Sequence, residues 1–261
     1  MKAYLKSNKN DFNDAAAIAE AVQRPTMRFV AIRSIEQADL QAVHRVRDQL
    51  IAERTASINQ IRAFLLEYGI AVPVGRARLL RSLPAILEDA ENELTPAMRA
   101  LLSQLKTRLT RIDDELQAST RQIELTASED ERCCKLRDIP GVGPIVATAL
   151  VAAVGNGAQF RRARDMAAWI GLVPRQHSTG GRSKLLGISK RGNGYLRRLL
   201  VQGARAVINK TDRGRHRFGA WLTRLEQRAH QNIVAVSMAN KLARIAWAVL
   251  RGDEPYRAVA V

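Results

Sequence analysis

Three clusters in the sequence combine residue types that do chemistry on phosphate esters. His177-Ser178-Thr179-Gly180-Gly181-Arg182 sets hydroxyls among cations in what reads as a flexible, glycine-bearing loop. There a nucleophile can sit beside a phosphodiester whose charge arginines offset. A serine in such a loop also serves as a plain hydrogen-bonding group to phosphate, or caps a turn. Asp11 and Asp14 stand three apart in NDFNDA, so a helix would bring both carboxylates to one face. That pair can offer oxygen ligands to Mg²⁺, or can cap the helix and complement its dipole. Ile139-Pro140-Gly141-Val142-Gly143-Pro144 then opens an apolar Ala/Val segment. Gly141, Val142 and Gly143 would let backbone amides at a helix start approach a phosphate, in the manner of a helix-hairpin-helix, or would form an ordinary tight turn.

The cations around these clusters are concentrated. The formal charge of +17 comes from 42 Lys+Arg against 25 Asp+Glu. Residues 1–130 hold 18 of each sign, so the whole excess lies in residues 131–261. Residues 166–211 contain no Asp or Glu, yet carry Arg175, Arg182, Lys184, Lys190, Arg191, Arg197, Arg198, Arg205 and Lys210. Cations without counter-charges repel one another, and a polyanion is their natural partner. Arg175, Arg182, Lys184, Lys190, Arg191, Arg197 and Arg198 are the nucleic-acid-binding candidates. Lys190-Arg191-Gly192-Asn193 reads as a backbone-binding turn leading into a helix.

Several elements must hold these groups. DAAAIAEA at 14–21 is a strong helix former with Asn or Asp placed to cap it, and Pro25 ends it. RFVAI at 28–32 reads equally as a strand or a connector. From Ser34 to Tyr68, Leu40, Val43, Val46, Leu50, Ile58, Ile61 and Leu65 form an amphipathic stripe. After a break containing Gly69, Pro73, Gly75 and Pro84, a second stripe runs Met98, Leu102, Leu105, Leu109, Ile112, Leu116, Ile123. The two helices should pair as an antiparallel, coiled-coil-like hairpin serving as a spacer or a dimerisation arm, which makes a homo-oligomer an expectation.

Composition sets limits on the whole. Aromatic content is 5% and Ala, Leu and Arg dominate, which predicts a mainly α protein. The domains expected are 1–33, 34–130 as helical spacer, and 131–261. Cys133 and Cys134 are adjacent, a spacing that fits neither a structural zinc site nor a CxxC redox centre. The polar start and the absence of a long apolar run exclude membrane and secretion readings and leave the cytoplasm as the expected location.

Taken in order, KNDFNDAAAIAEA, RFVAI with SIEQADLQ, a helical spacer, IPGVGP, GLVPRQHSTGGRSKLLGISKRGN and YLRRLLVQGARAV resemble the DEDD-type, bridge-RNA-guided insertion-sequence transposases. The resemblance covers nearly the whole chain. It implies a RuvC-like N-terminal domain with an Asp-Glu-Asp-Asp tetrad for Mg²⁺ and a C-terminal domain with a serine nucleophile. It also implies DNA and a guide RNA as partners. Asp11 and Asp14 match the last two acids of the tetrad and Ser178 matches the serine, with Thr179 and Ser183 as neighbouring competitors. The family's first Asp and its Glu precede the KND motif, and only ten residues precede Asp11 here. The resemblance therefore implies an N-terminally truncated relative with a RuvC-like remnant. Glu20 lies on the same helix as Asp11, whereas the family's Glu belongs to another element. The alternative is a non-catalytic helix-hairpin-helix nucleic-acid-binding protein.

Overall fold

The structure, a computed structural model, describes residues 10–25, 27, 32–210, 212–214, 216, 218–252 and 254–256. Residues 1–33 and 34–261 form separate units. The first contains helix α1, Asp11–Val22, begun by Asn10, whose side chain accepts from the Phe12 amide at 2.9 Å. Asn10 thus caps the helix, and Asp11 and Asp14 sit in its first turn, where carboxylates offset the dipole. Residues 28–31 of RFVAI lie outside the described residues.

The second unit opens with α2, Ile35–Glu67. Ser34 and Gln37 form a reciprocal capping box at its start, with bonds of 3.2 and 3.0 Å. Its 33 residues extend about 50 Å. Helix α4, Pro96–Glu129, returns alongside it. Arg47 reaches Thr120 and Arg54 reaches Asp113, so residue numbers run in opposite directions along the two helices. The seam is the one the leucine spacing called for: Leu102, Leu105, Leu109, Ile112, Leu116 and Ile123 are all buried.

The expected break between the long helices contains a third helix, α3, Arg76–Glu88, with Pro84 inside it. Leu79 and Leu83 are fully buried at the hairpin tip against Ile61, Leu65 and Leu102. Burial of that stripe outweighs the backbone hydrogen bond that proline removes. Arg99 then seals the end of α3 by donating to the carbonyls of Leu87 and Asp89, both at 2.8 Å.

At its other end the hairpin joins the main core without a linker. Asp130 ends α4 and caps α5, Glu131–Arg137. Helix α6, Pro144–Val154, is buried along most of its length, and α2, α4 and α5 all pack on it. Next come α7, Ala163–Ile170, strands β1, Pro174–Thr179, and β2, Arg182–Ile188, and α8, Gly194–Lys210. Helices α9, Gly219–Glu226, and α10, Gln231–Arg251, complete the unit. Among the described residues α10 is the one helix long and apolar enough to cross a bilayer. Its Val234, Met238, Leu242, Ala246 and Val249 are instead buried in the main core. Cys133 is buried there too, and burial pushes its thiol up to about 12; Cys134 is exposed and both are free.

Candidate nucleic-acid interface

The HSTGGR segment is a β-hairpin rather than the flexible loop its glycines called for. Gly180 and Gly181 form its tip with φ of 56° and 75°. Positive φ at both central residues is what a two-residue type I′ connection demands. A Gly-Gly pair between short runs is itself a hairpin signal, so this element was open to detection.

Strand pairing sorts the side chains. Thr179 faces Arg182, Ser178 faces Ser183, His177 faces Lys184 and Gln176 faces Leu185. Directly opposed residues share a face and successive residues alternate. One face therefore carries His177, Thr179, Arg182 and Lys184, and the other carries Gln176, Ser178, Ser183 and Leu185. The competing hydroxyls are divided: Thr179 lies with the cations, Ser178 and Ser183 on the neutral face. Gln176 Nε2 donates to Ser178 Oγ at 2.7 Å, which leaves the serine proton free. Every residue from Pro174 through Gly187 is exposed to solvent.

The nine cations of the acid-free stretch do not all await a polyanion. Arg198 is ion-paired with Asp48 of α2 and lies 5.4 Å from the centroid of the Tyr195 ring. Arg197 donates to the carbonyls of Ile170, at 2.8 Å, and Arg191, at 3.0 Å, tying the turn after β2 to the end of α7. Local sequence could not show either partner. Arg175, Arg182, Lys184, Lys190 and Arg191 remain exposed, and among the described residues none of them has a carboxylate partner. The Lys190-Arg191-Gly192-Asn193 turn does enter a helix: Asn193 Oδ1 accepts from the Leu196 amide at 3.1 Å, and Lys190 has φ of 54°.

Behind this turn a buried polar chain joins three helices. Thr148 Oγ1 donates to the Pro144 carbonyl at 2.7 Å, so His44 Nε2 must donate to Thr148 Oγ1, at 3.0 Å. His44 Nδ1 is then free to accept from Tyr195 Oη at 2.9 Å. Burial, with a contribution from the Arg47 charge, lowers His44 to about 4, in keeping with a neutral ring. Burial also raises Tyr195, keeping its phenol a donor.

The Gly-Val-Gly turn links α5 to α6, but its residues do different work. A Cβ on Gly141 would lie 2.6 Å from the Gly203 carbonyl oxygen, and one on Gly203 would lie 2.1 Å from that of Gly141. Gly141 thus serves backbone-to-backbone packing against α8. Val142 is a core side chain, 3% exposed, and cannot touch a ligand with its side chain. Gly143 is exposed, at the start of α6, with open space around it.

Asp11 and Asp14 both lie in the first turn of α1, three residues apart and so on one face of the helix. Glu20, on the same helix, is paired with Arg24 just beyond the helix end. Among the described residues no group of three His, Cys, Asp or Glu side chains is placed to hold a metal ion.

Residues 133–219 match the Transposase IS116/IS110/IS902 family, and residues 1–70 match a DEDD transposase family of the IS110 kind. The transposase for insertion sequence element IS1111A of Coxiella burnetii is 46% identical over 261 residues, covering 98% of this chain and 71% of that protein. A probable family 20 transposase of Pseudomonas aeruginosa is 46% identical over 262 residues, covering 98% of this chain and 76% of its own length. The transposase for insertion sequence element IS1328 of Yersinia enterocolitica is 44% identical over 249 residues, with coverage of 95% and 74%. With a basic hairpin, a Gly-Val-Gly turn and this degree of likeness along nearly its whole length, the chain belongs to the IS110/IS116 family of insertion-sequence transposases.

Proposed function

We propose that this transposase holds its DNA on the cationic face of the β1–β2 hairpin and on the Lys190-Arg191 turn, and that it works with a guide RNA of the bridge type. The observation that carries the reading is the exposure of Arg182 and Lys184 on one hairpin face and of Lys190 and Arg191 in the turn that follows, without carboxylate partners among the described residues. The α5–turn–α6 segment would act as a helix-hairpin-helix, with exposed Gly143, rather than packed Gly141, nearest the phosphate. A homo-oligomer formed through the helical hairpin and work in the bacterial cytoplasm belong to the same reading.

Ser178 is the proposed nucleophile. Its Oγ would form a bond to the DNA phosphorus as the phosphorus–oxygen bond to the leaving deoxyribose breaks. The leaving oxygen takes the electron pair and a proton, and the serine proton passes to solvent. Gln176 would orient Oγ through its amide. Asp11 and Asp14 are what this chain would contribute to a RuvC-like Mg²⁺ site, and a full tetrad needs two further acids. No step here depends on the metal.

Among the described residues no three His, Cys, Asp or Glu side chains converge, and this favours one further reading, a non-catalytic nucleic-acid binder. Incubation of the protein with cognate donor, target, guide RNA and Mg²⁺ separates the two. The catalytic reading expects joined DNA that is lost in Ser178→Ala with binding retained, while Thr179→Ala and Ser183→Ala keep joining. Absence of joining, with binding unaffected by Ser178→Ala, supports the binder instead.

A further inference from the structure

Two connected depressions on α10 lie outside the clusters described above. One, of about 660 Å³, runs between the base of the β-hairpin and α10. Leu172, Leu185, Ile188, Ile233 and Val236 give it apolar walls, and Asn232, Ser237 and Asn240 offer polar atoms. The second, of about 510 Å³, continues along the same helix past Ser237 and Asn240 to Trp221, Lys241 and Arg244. Ile233 and Leu185 are 57% and 66% exposed, large apolar side chains left facing solvent. The two depressions share Ser237 and Asn240, so they form one track on the helix surface. From Ile233 to Arg244 it extends about 16 Å, enough for a few nucleotides.

Charge selects the occupant. Residues 227–252 form a second acid-free stretch, with Arg228, Lys241, Arg244 and Arg251, and neither depression is lined by a carboxylate. Lys241 already rests over Trp221, 4.3 Å from the ring centroid. Arg244 is exposed and has no ion-pair partner among the described residues. An apolar trough beside the exposed guanidinium of Arg244 suits unpaired nucleotides, whose base faces pack on apolar walls while a phosphate meets the cation. A duplex hides its base faces in the stack and offers only its backbone and groove edges.

We propose that this track holds an unpaired segment of the nucleic-acid substrate, with bases against Ile233, Val236 and Leu185 and phosphates at Arg244. Leu185 is the cross-strand partner of Gln176 and shares the hairpin face that carries Ser178. A strand leaving the track would therefore meet that face. The inference goes beyond the hairpin reading and stands on separate residues.

Fluorescence anisotropy of the full chain with a labelled mixed-sequence single strand, and with the duplex of the same sequence, tests it. Ile233→Asp and Arg244→Ala alter exposed side chains, and circular dichroism checks that both variants keep their fold. Ile233→Asp should weaken single-strand binding by roughly tenfold, the loss of one base contact, with duplex affinity changed by less than about twofold. Arg244→Ala should weaken the single strand and reduce its salt dependence. Equal loss for single strand and duplex, or no loss for either, overturns the proposal. So does a change of oligomeric mass in Ile233→Asp with nucleic-acid binding intact, which would make the track a contact between copies. Arg182→Ala with Lys184→Ala, measured in parallel, reports on the hairpin reading alone, so the two can fail separately.

Discussion

Arg198 of α8 is ion-paired with Asp48 of α2, joining the helical hairpin to the helix that follows the Lys190-Arg191 turn. One turn away, Tyr195 and His44 make the same connection by a hydrogen bond of 2.9 Å. An arginine that reads in sequence as a phosphate contact thus has a carboxylate partner on another helix. Because both partners are more than a third exposed, the pair contributes little stability on its own, about 0–1 kcal/mol.

Arg198→Ala is accordingly expected to change nucleic-acid affinity by less than about threefold. Lys190→Ala and Arg191→Ala should each weaken binding and each lower the slope of log affinity against log salt by about one. Titrations at several salt concentrations check this. A larger slope change for Arg198→Ala than for Arg191→Ala would reverse the assignment.

His44 makes stability depend on pH. Its folded-state value of about 4 lies below the ordinary 6.5, so the unfolded chain binds the proton more readily. The stabilisation from a neutral His44 is complete above pH 6.5 and is lost as pH falls from 6.5 towards 4, by up to about 3 kcal/mol. Urea midpoints measured across that window should fall in the natural protein and fall less in His44→Gln. Parallel curves for the two proteins would remove His44 as the cause.

The glycines of the turn are expected to separate by function. Gly203→Ala drives a methyl into the Gly141 carbonyl and should cost several kcal/mol, about 2–4, by thermal or urea unfolding. Gly143→Ala meets no atom and should leave stability within about 1 kcal/mol. If backbone approach to phosphate needs position 143 bare, the same change lowers nucleic-acid affinity. Equal stability losses at both positions would contradict the packing role of Gly203.

The parts of this fold set by local pattern were legible in sequence. Ser34 with Gln37 announced the start of α2, and the leucines of α4 marked their own seam. Val46 shows the limit of that pattern, since it falls on the stripe and is 53% exposed. Helix α3 was obscured by Pro84, although Leu79, Leu80, Leu83, Ile86 and Leu87 keep helical spacing. Gly180-Gly181 fits a flexible loop and a type I′ connection equally well, and only the pairing of the flanking strands decides between them. Contacts such as Asp48 with Arg198, Gly141 with Gly203 and His44 with Thr148 join residues far apart in the chain, and no local spacing encodes them.

The proposed function places nucleic acid on the cationic hairpin face that carries Arg182 and Lys184. The most direct measurement compares the salt dependence of duplex DNA affinity in the natural protein and in Arg182→Ala combined with Lys184→Ala. Binding should weaken, with a slope reduced by about two, one unit for each phosphate contact removed. An unchanged affinity and slope would contradict it.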